Sequence, residues 1–205
     1  MVHLLLATRN AHKTREFAQI LGAEFEISEL SSATSVPEIS ETGGTFEENA
    51  ISKAVNVSKD RHLLVVADDS GLEVDSLDGA PGIYSARYAG ENASDKENID
   101  KLLSELARPN VPADERHARF RCVIALAREG KLVGTFEGVV EGTIVDLPRG
   151  SGGFGYDPIF VPSGFRQTFG ELPAETKNKI SHRAKALAAL REALRAGKIG
   201  SVRAN

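Results

Sequence analysis

Short apolar runs alternate with helix signals along this chain, and the alternation limits the folds open to it more than any other feature. The first run, residues 2–7, turns at 8–10 into an amphipathic helix that ends at Gly22, and a second strand is predicted at 24–28. The continuous run "LLVVA" at 63–67 is typical of a central strand buried on both faces. Such an order of elements predicts an α/β protein.

One long hairpin is predicted in the second half of the chain. Residues 117–127 and 131–145 have the apolar patterning of two long strands, and Glu129-Gly130 between them favours a turn. Strands separated by helices pair in parallel, whereas a hairpin pairs its strands antiparallel. The sequence therefore predicts a mixed β-sheet.

Capping residues mark where three further helices begin. Thr45 with Glu48, and Ser94 with Glu97, have the spacing of a capping box, which predicts helices to about residues 59 and 107. Ser181 precedes an apolar stripe at helical spacing, so a C-terminal helix is predicted to follow it.

Composition excludes several other classes of protein. Hydrophobic residues make up 41% and charged residues 26% of the chain, which is typical of a globular protein. The net charge of -4 predicts no general attraction to nucleic acid, and a single cysteine, Cys122, excludes an internal disulfide. No apolar run is long enough for a membrane span or a signal peptide. We therefore expect a cytoplasmic protein that binds neither nucleic acid nor membranes, with a buried Cys122.

The string "RGSGGFGYDP" has the glycine spacing of a dinucleotide-binding turn, at Gly150, Gly152 and Gly155. That fingerprint requires a helix that begins within it, and no helical periodicity follows Gly155. The segment is predicted to be a loop followed by a short strand, so a nicotinamide-dependent oxidoreductase is not favoured.

Two adjacent carboxylates, Asp68 and Asp69, follow the predicted central strand. Ligands of open α/β sheets bind beyond the carboxyl ends of strands, and paired carboxylates repel unless a cation or a basic group lies near them. A magnesium ion with a phosphate substrate is the favoured interpretation, and a turn or helix cap is the alternative. In the loop "VPEISETGG", Glu38 or Glu41 could be a second metal ligand, and Glu41 is preferred.

Polar and basic residues at the start of the first helix suit an anion. Thr8, Asn10 and Lys13 surround the start of the first helix, where backbone N–H groups are expected to be unpaired; a capped helix with a solvated lysine is the alternative. On the second helix, Asn49 and Lys53 lie four residues apart on one face.

A second basic cluster lies near the C-terminal helix. This cluster opposes the dipole of a helix that it precedes, which is easier to understand if an anion or an electron-rich carbonyl lies nearby. No zinc-ligand spacing involves His182, so a metal role for it is not expected. The residues are Lys177, Lys179, His182 and Arg183.

Five segments together resemble the inosine/xanthosine triphosphate pyrophosphatase family, which removes deaminated purine nucleotides. They occur in the family's order and at similar spacing from residue 7 to residue 183, and so span nearly the whole chain. The segments are "ATRNAHK", "ETGGTFEENAISKA", "ADDSGLEVDSLDGAPGIYSARYAG", "GGFGYDPIF" and "ELPAETKNKISHR".

The resemblance implies a fold, a reaction and an assembly. The whole chain, 1–205, would form one domain of two α/β lobes around a long mixed sheet, with the active site in the cleft between them. The enzyme would be a homodimer. It would hydrolyse ITP, dITP and XTP to the monophosphate and pyrophosphate, with Mg²⁺ as its cofactor.

The resemblance also assigns roles to individual residues. Asp69 would bind the metal ion with Glu41 and accept a proton from water, with Asp68 beside it. Residues predicted to hold the triphosphate or to contact the substrate are Thr8, Arg9, Asn10, Ala11, His12, Lys13, Lys53 and Ser70. The nucleoside pocket would comprise Phe154, Gly155, Tyr156, Asp157, Lys177, His182 and Arg183.

Selectivity for the purine base would follow from the residues of the nucleoside pocket. Phe154 offers a ring for stacking, and donors on His182 and Arg183 favour a carbonyl at C6 of the purine over the amino group of adenine. Whether Arg87 contacts phosphate or only orders its loop is left open. Two other functions remain as alternatives: a pyrophosphatase for dTTP or UTP, and a non-catalytic nucleotide sensor.

Overall fold

A computed structural model describes residues 2–29, 42–107, 111–112 and 115–196. Six strands form one sheet in the order β2-β1-β3-β4-β5-β6. β1 pairs in parallel with β2 and β3, whereas β5 and β6 are antiparallel, so the predicted mixed sheet is confirmed. The strands are β1 (Val2–Leu6), β2 (Phe25–Glu29), β3 (Leu64–Val74), β4 (His117–Arg128), β5 (Lys131–Ile144) and β6 (Phe160–Pro162).

The helices begin where the capping residues predicted. Thr45 Oγ1 accepts from the Glu48 N–H at the start of α2, and Ser94 and Glu97 bond reciprocally at the start of α3. Gly22, with φ of 67°, ends α1. The helices are α1 (Ala11–Leu21), α2 (Phe46–Ser58), α3 (Asp95–Ala107), α4 (Ala174–Ile180) and α5 (His182–Arg195).

The hairpin turn between β4 and β5 is the predicted one. Glu129 and Gly130 have φ values of 52° and 74°, and a positive φ at both central residues is characteristic of a type I′ turn.

The structure of the glycine string at 150–155 is also as predicted, because a 3₁₀ turn, Asp157–Ile159, and the short strand β6 follow it instead of an α-helix. The dinucleotide-binding interpretation is thereby removed.

The prediction that a strand ends before Asp68 is wrong. β3 continues through both carboxylates to Val74, and Leu72 and Val74 are fully buried beyond them. The string Asp-Asp-Ser-Gly resembles a turn because these residues are depleted in strands. Basic side chains from elsewhere in the fold neutralise the acidic pair, which lets the strand continue.

The four residues of the basic cluster near the C-terminus lie on two helices, whereas the sequence predicted them around the start of one. Lys177 and Lys179 occupy the last turn of α4, a helix that the sequence did not predict, where positive charge favours the helix dipole. Only His182 and Arg183 lie at the start of α5. The unfavourable dipole interaction therefore concerns two residues of the four.

The chain divides into two compact units, each with its own apolar core. The first unit takes its described residues from 1–69, 122–138 and 183–205, and the second from 70–121 and 139–182. The first core includes Phe17, Ile124 and Leu187, and the second includes Leu102 and Phe160.

Cys122 lies in the first core, as predicted, and burial, followed by the charge of Asp68, raises the pKa of its thiol to about 12. Among the described residues, no helix is both long and apolar enough to cross a membrane.

Candidate active site

Asp69 is held by two side chains of α2. Lys53 Nζ lies 3.0 Å from Asp69 Oδ1, and Asn49 Nδ2 donates to Asp69 Oδ2 at 3.1 Å. The same ammonium group donates to the Asp68 carbonyl at 2.9 Å. Asn49 and Lys53 are four residues apart on one helical face, so both reach the same carboxylate. The sequence pattern placed the two residues together correctly but did not show what they contact.

Asp68 has a separate set of partners. Successive strand residues point to opposite faces of a sheet, so Asp68 faces α1 and α5 whereas Asp69 faces α2. Its Oδ2 lies 3.2 Å from Lys13 Nζ and 3.0 Å from Arg183 Nη2. Burial by itself raises the pKa of Asp68, but the charges of Lys13, Arg183 and Lys53 outweigh it and hold the pKa well below its usual range.

Arg183 completes this cluster with a second carboxylate. Its guanidinium is 1% exposed and also donates to Glu16 on α1. Burial alone lowers the pKa of Arg183, but the charges of Asp68 and Glu16 raise it above its usual range. The anions near this basic residue are therefore carboxylates of the chain itself. Sequence analysis missed Glu16, whose only signal was its position one turn after Lys13.

The start of α1 is capped by its own side chains. Asn10 Oδ1 accepts from the His12 and Lys13 N–H groups at 2.9 and 3.3 Å, and Thr8 Oγ1 accepts from the Asn10 N–H at 3.2 Å. The expectation that these N–H groups are unpaired is therefore wrong for His12 and Lys13. Arg9, Asn10, Ala11 and His12 are exposed, and Lys13 is half-buried.

In the second unit, a buried ion pair organises the glycine loop. Lys177 Nζ lies 2.5 Å from Asp157 Oδ2, and the same oxygen accepts from the Phe154 N–H at 2.8 Å. Gly153 has φ of 73°, and a Cβ on it would lie 1.9 Å from that oxygen, so only glycine fits there. The Lys177 ammonium also lies 4.8 Å from the centre of the Phe154 ring. Phe154, Asp157 and Lys177, which were predicted to share a pocket, do lie together.

Three more of the residues predicted around the nucleoside, His182, Tyr156 and Gly155, are held by the same unit. The His182 ring stacks on Phe120, with centroids 4.9 Å apart and an angle of 13° between the planes. Tyr156 donates its hydroxyl to the Ser85 carbonyl at 2.9 Å, and burial raises its pKa, so its hydroxyl stays protonated. The Gly155 N–H donates to Asp95 Oδ2 at 2.6 Å.

Of four other residues considered in the sequence analysis, two lie within the described residues. Ser70 is half-buried in β3, immediately after Asp69. Arg87 Nε lies 3.8 Å from Glu91, and its guanidinium lies over the Tyr84 ring. Both metal-ligand alternatives, Glu38 and Glu41, lie outside the described residues.

The carboxylates of β3 fit a magnesium ion in part. Mg²⁺ binds through one or two protein carboxylates, and water and phosphate oxygens fill its remaining positions. Each carboxylate oxygen has a second lone pair, so Asp69 can bind a cation while it accepts from Asn49 and Lys53. The described residues contain no group of three or more His, Cys, Asp or Glu that could hold a metal ion. A site at Asp69 would therefore use substrate oxygens or a ligand outside those residues.

The fold and these clusters define an α/β protein with a mixed six-stranded sheet and buried ionic clusters, and comparison with known proteins identifies its family. The model of the Ham1 family matches residues 4–193. A curated dITP/XTP pyrophosphatase of Geobacter sulfurreducens is 53% identical over 195 residues, which are 95% of this chain and 97% of that protein.

Two solved structures agree with this match. A HAM1 protein from Coxiella burnetii has a TM-score of 0.85 at 43% identity, covering 96% of this chain and 100% of that one. The Staphylococcus aureus Ham1 protein has a TM-score of 0.83 at 42% identity, covering 95% and 98%. The chain belongs to the Ham1 family, and both the family resemblance and the α/β prediction are confirmed.

Proposed function

We propose that the protein hydrolyses deaminated purine nucleoside triphosphates, ITP, dITP and XTP, to the monophosphate and pyrophosphate. The observation that carries the proposal is the buried pair Asp68 and Asp69, with Lys13, Lys53 and Arg183 on it, in a chain of the Ham1 family. The curated relatives named dITP/XTP pyrophosphatases support the choice of substrate.

The clusters around Asp68 and Asp69 would carry the triphosphate chemistry. Asp69 accepts the proton of the water that attacks the α-phosphorus, and the bond from that phosphorus to the bridging oxygen breaks, releasing pyrophosphate. Lys13 and Lys53 provide positive charge for the departing group. A magnesium ion held by Asp69 and Glu41 would supply further positive charge on the phosphate oxygens. Residues 8–12 would contact the phosphates, and Ser70 would contact the substrate.

Base recognition would depend on Phe154, His182 and the loop that Asp157 and Lys177 hold. Phe154 offers a ring face for stacking, and the Asp157–Lys177 ion pair fixes the loop that bears it. His182, held flat against Phe120, would donate to the carbonyl at C6. Adenine has an amino donor at this position, and two donors that face each other leave both unpaired. Gly155, Tyr156 and Arg183 stay predictions as contacts of the nucleoside.

Pyrophosphate release from a panel of nucleotides tests the proposal. The purified protein is incubated with ITP, dITP, XTP, GTP, ATP, dTTP and UTP, with and without Mg²⁺. We expect rapid release from the first three, dependence on Mg²⁺, and kcat/KM for ATP lower by about 100-fold or more. ITP left whole with ample Mg²⁺ would contradict the proposal, and ITP binding without hydrolysis would favour a nucleotide sensor. Preference for dTTP or UTP would assign a different pyrophosphatase.

The resemblance leads us to expect a homodimer, and the sequence, in which no apolar run is long enough for a membrane span or a signal peptide, leads us to expect a cytoplasmic protein. Light scattering on the purified protein measures the first expectation, and a mass of one chain would contradict it. Localisation of a tagged chain tests the second.

A further inference from the structure

Asn49 is a buried polar residue that lies between a loop and the proposed catalytic carboxylate. Its side chain is 1% exposed near the start of α2. Its Nδ2 donates to Asp69 Oδ2 at 3.1 Å, and its Oδ1 accepts from the Gly43 N–H at 2.9 Å. One amide therefore links a loop backbone to Asp69.

Chemistry fixes which way this amide points. The Gly43 N–H can only donate, and an ionised carboxylate can only accept, so the amide oxygen must face Gly43 and the amide nitrogen must face Asp69. Alanine at position 49 satisfies neither group, and aspartate places a second carboxylate against the first. Asparagine is thus the residue type that suits both neighbours.

The close contact with Asn49 explains why residue 43 is a glycine. A Cβ on Gly43 would lie 2.7 Å from Asn49 Oδ1 and 2.8 Å from Glu48 Cβ, both too close. A Cβ on the adjacent Gly44 would meet only Glu48 Oε2, at an ordinary 3.7 Å. The loop can approach Asn49 closely only because residue 43 has no side chain.

We infer that Asn49 is a positioning residue for Asp69, which fixes the orientation of the carboxylate that receives the proton from water. Lys53 contacts Oδ1 and Asn49 contacts Oδ2, so the carboxylate is held at both oxygens against rotation. The anchor at Gly43 keeps the amide from turning with it. The inference rests on the proposed function, because it assigns to Asn49 an effect on a step that Asp69 performs.

The first experiment compares Asn49→Ala with Asn98→Ala. Asn98 is a matched control because it is 2% exposed on α3, accepts from the Ala89 N–H and donates to the Ala86 carbonyl, but contacts no carboxylate in these bonds. We expect Asn49→Ala to lower kcat for ITP by about tenfold or more with KM changed less than about threefold. Asn98→Ala should lose a similar amount of unfolding stability and keep its kcat. Unchanged kcat in Asn49→Ala, or equal losses in both variants, would overturn the inference.

A second pair of variants, both in the loop, tests the hydrogen bond between Gly43 and Asn49. Gly43→Ala pushes against Asn49 Oδ1 and should lower kcat in the same way, whereas Gly44→Ala should leave kcat close to that of the unaltered protein. This pair keeps the inference testable if Asn49→Ala does not fold. Equal kcat values for the two glycine variants would contradict it.

A kinetic double-mutant cycle separates positioning from an independent effect. If Asn49 acts through Asp69, adding Asn49→Ala to Asp69→Asn should change the residual kcat by less than about threefold. A further loss as large as in the unaltered background would overturn the inference. Failure of the proposed function is distinguishable, because the unaltered protein would then leave ITP whole before any variant is compared.

Discussion

At the scale of single residues, the acidic pair on β3 is balanced by basic side chains that the sequence only partly located. Asp69 contacts Lys53 and Asn49, and Asp68 contacts Lys13 and Arg183. The sequence indicated that the pair needs a cation or a basic group, because adjacent carboxylates repel. Which basic group serves which carboxylate follows from the alternation of β3, which points the two side chains to opposite faces.

Asp69→Asn tests the proton acceptor. The amide keeps the size and an acceptor oxygen of the carboxylate but takes up a proton poorly, so we expect turnover of ITP to fall by about 10²–10⁴-fold. Nucleotide binding, measured by calorimetry, should survive. Asp60→Asn, at an exposed position that follows α2, serves as the control and should turn over normally. Near-normal turnover in Asp69→Asn would remove this residue from its role.

At the scale of elements, local hydrogen-bonding signals predicted helix starts well. The capping bonds at Thr45 and Ser94 join residues three positions apart, so they can be predicted directly from the sequence. β3 and α4 were less predictable. The string Asp-Asp-Ser-Gly has turn propensity that tertiary neutralisation overrides, and α4 is only seven residues long.

Ser94→Ala tests the cap of α3. The substitution removes a bond from Ser94 Oγ to Glu97 and one from the Glu97 N–H to Ser94 Oγ. We expect a loss of about 1 kcal/mol in the free energy of unfolding, measured by urea titration. Ser104→Ala, at an exposed position within the same helix, should change stability by less than about 0.5 kcal/mol. Equal effects of the two variants would show that the cap adds nothing.

At the scale of the whole molecule, stability depends on pH through a buried carboxylate. The pKa of Asp68 is lowered in the folded protein, so its ionised form favours folding. This contribution is fully present above the ordinary pKa of an unfolded aspartate, about 3.9, and is lost as pH falls below it through the lower folded value. The ion pairs of Asp68 therefore matter to stability at neutral pH and fade in acid.

Asp68→Asn tests this dependence. Removing one partner of a buried ion pair costs about 3–5 kcal/mol, so the variant should be much less stable at pH 7. The difference between the two proteins should shrink below about pH 4, because only the unaltered protein then loses the stability that its ionised Asp68 contributes. Urea midpoints at a series of pH values measure it.

The matched control for Asp68→Asn is Asp100→Asn. The Lys96–Asp100 pair is exposed, with side chains 82% and 56% accessible, and solvent screens exposed pairs of this kind so that they add little to stability. Its effect should be small throughout the pH series. A constant difference for Asp68→Asn down to pH 2 would contradict the assigned role of its charge.

The sequence by itself determined the family, the α/β class and the starts of α2 and α3. Capping bonds and hydrophobic periodicity depend on residues a few positions apart, so the helix starts and the α/β class can be predicted from short segments of the sequence. Tertiary structure decided the partners of the acidic pair, since Arg183 and Asp68 are 115 residues apart. It also decided that a strand continues through two aspartates, because only the folded chain brings basic side chains close enough to stabilise them.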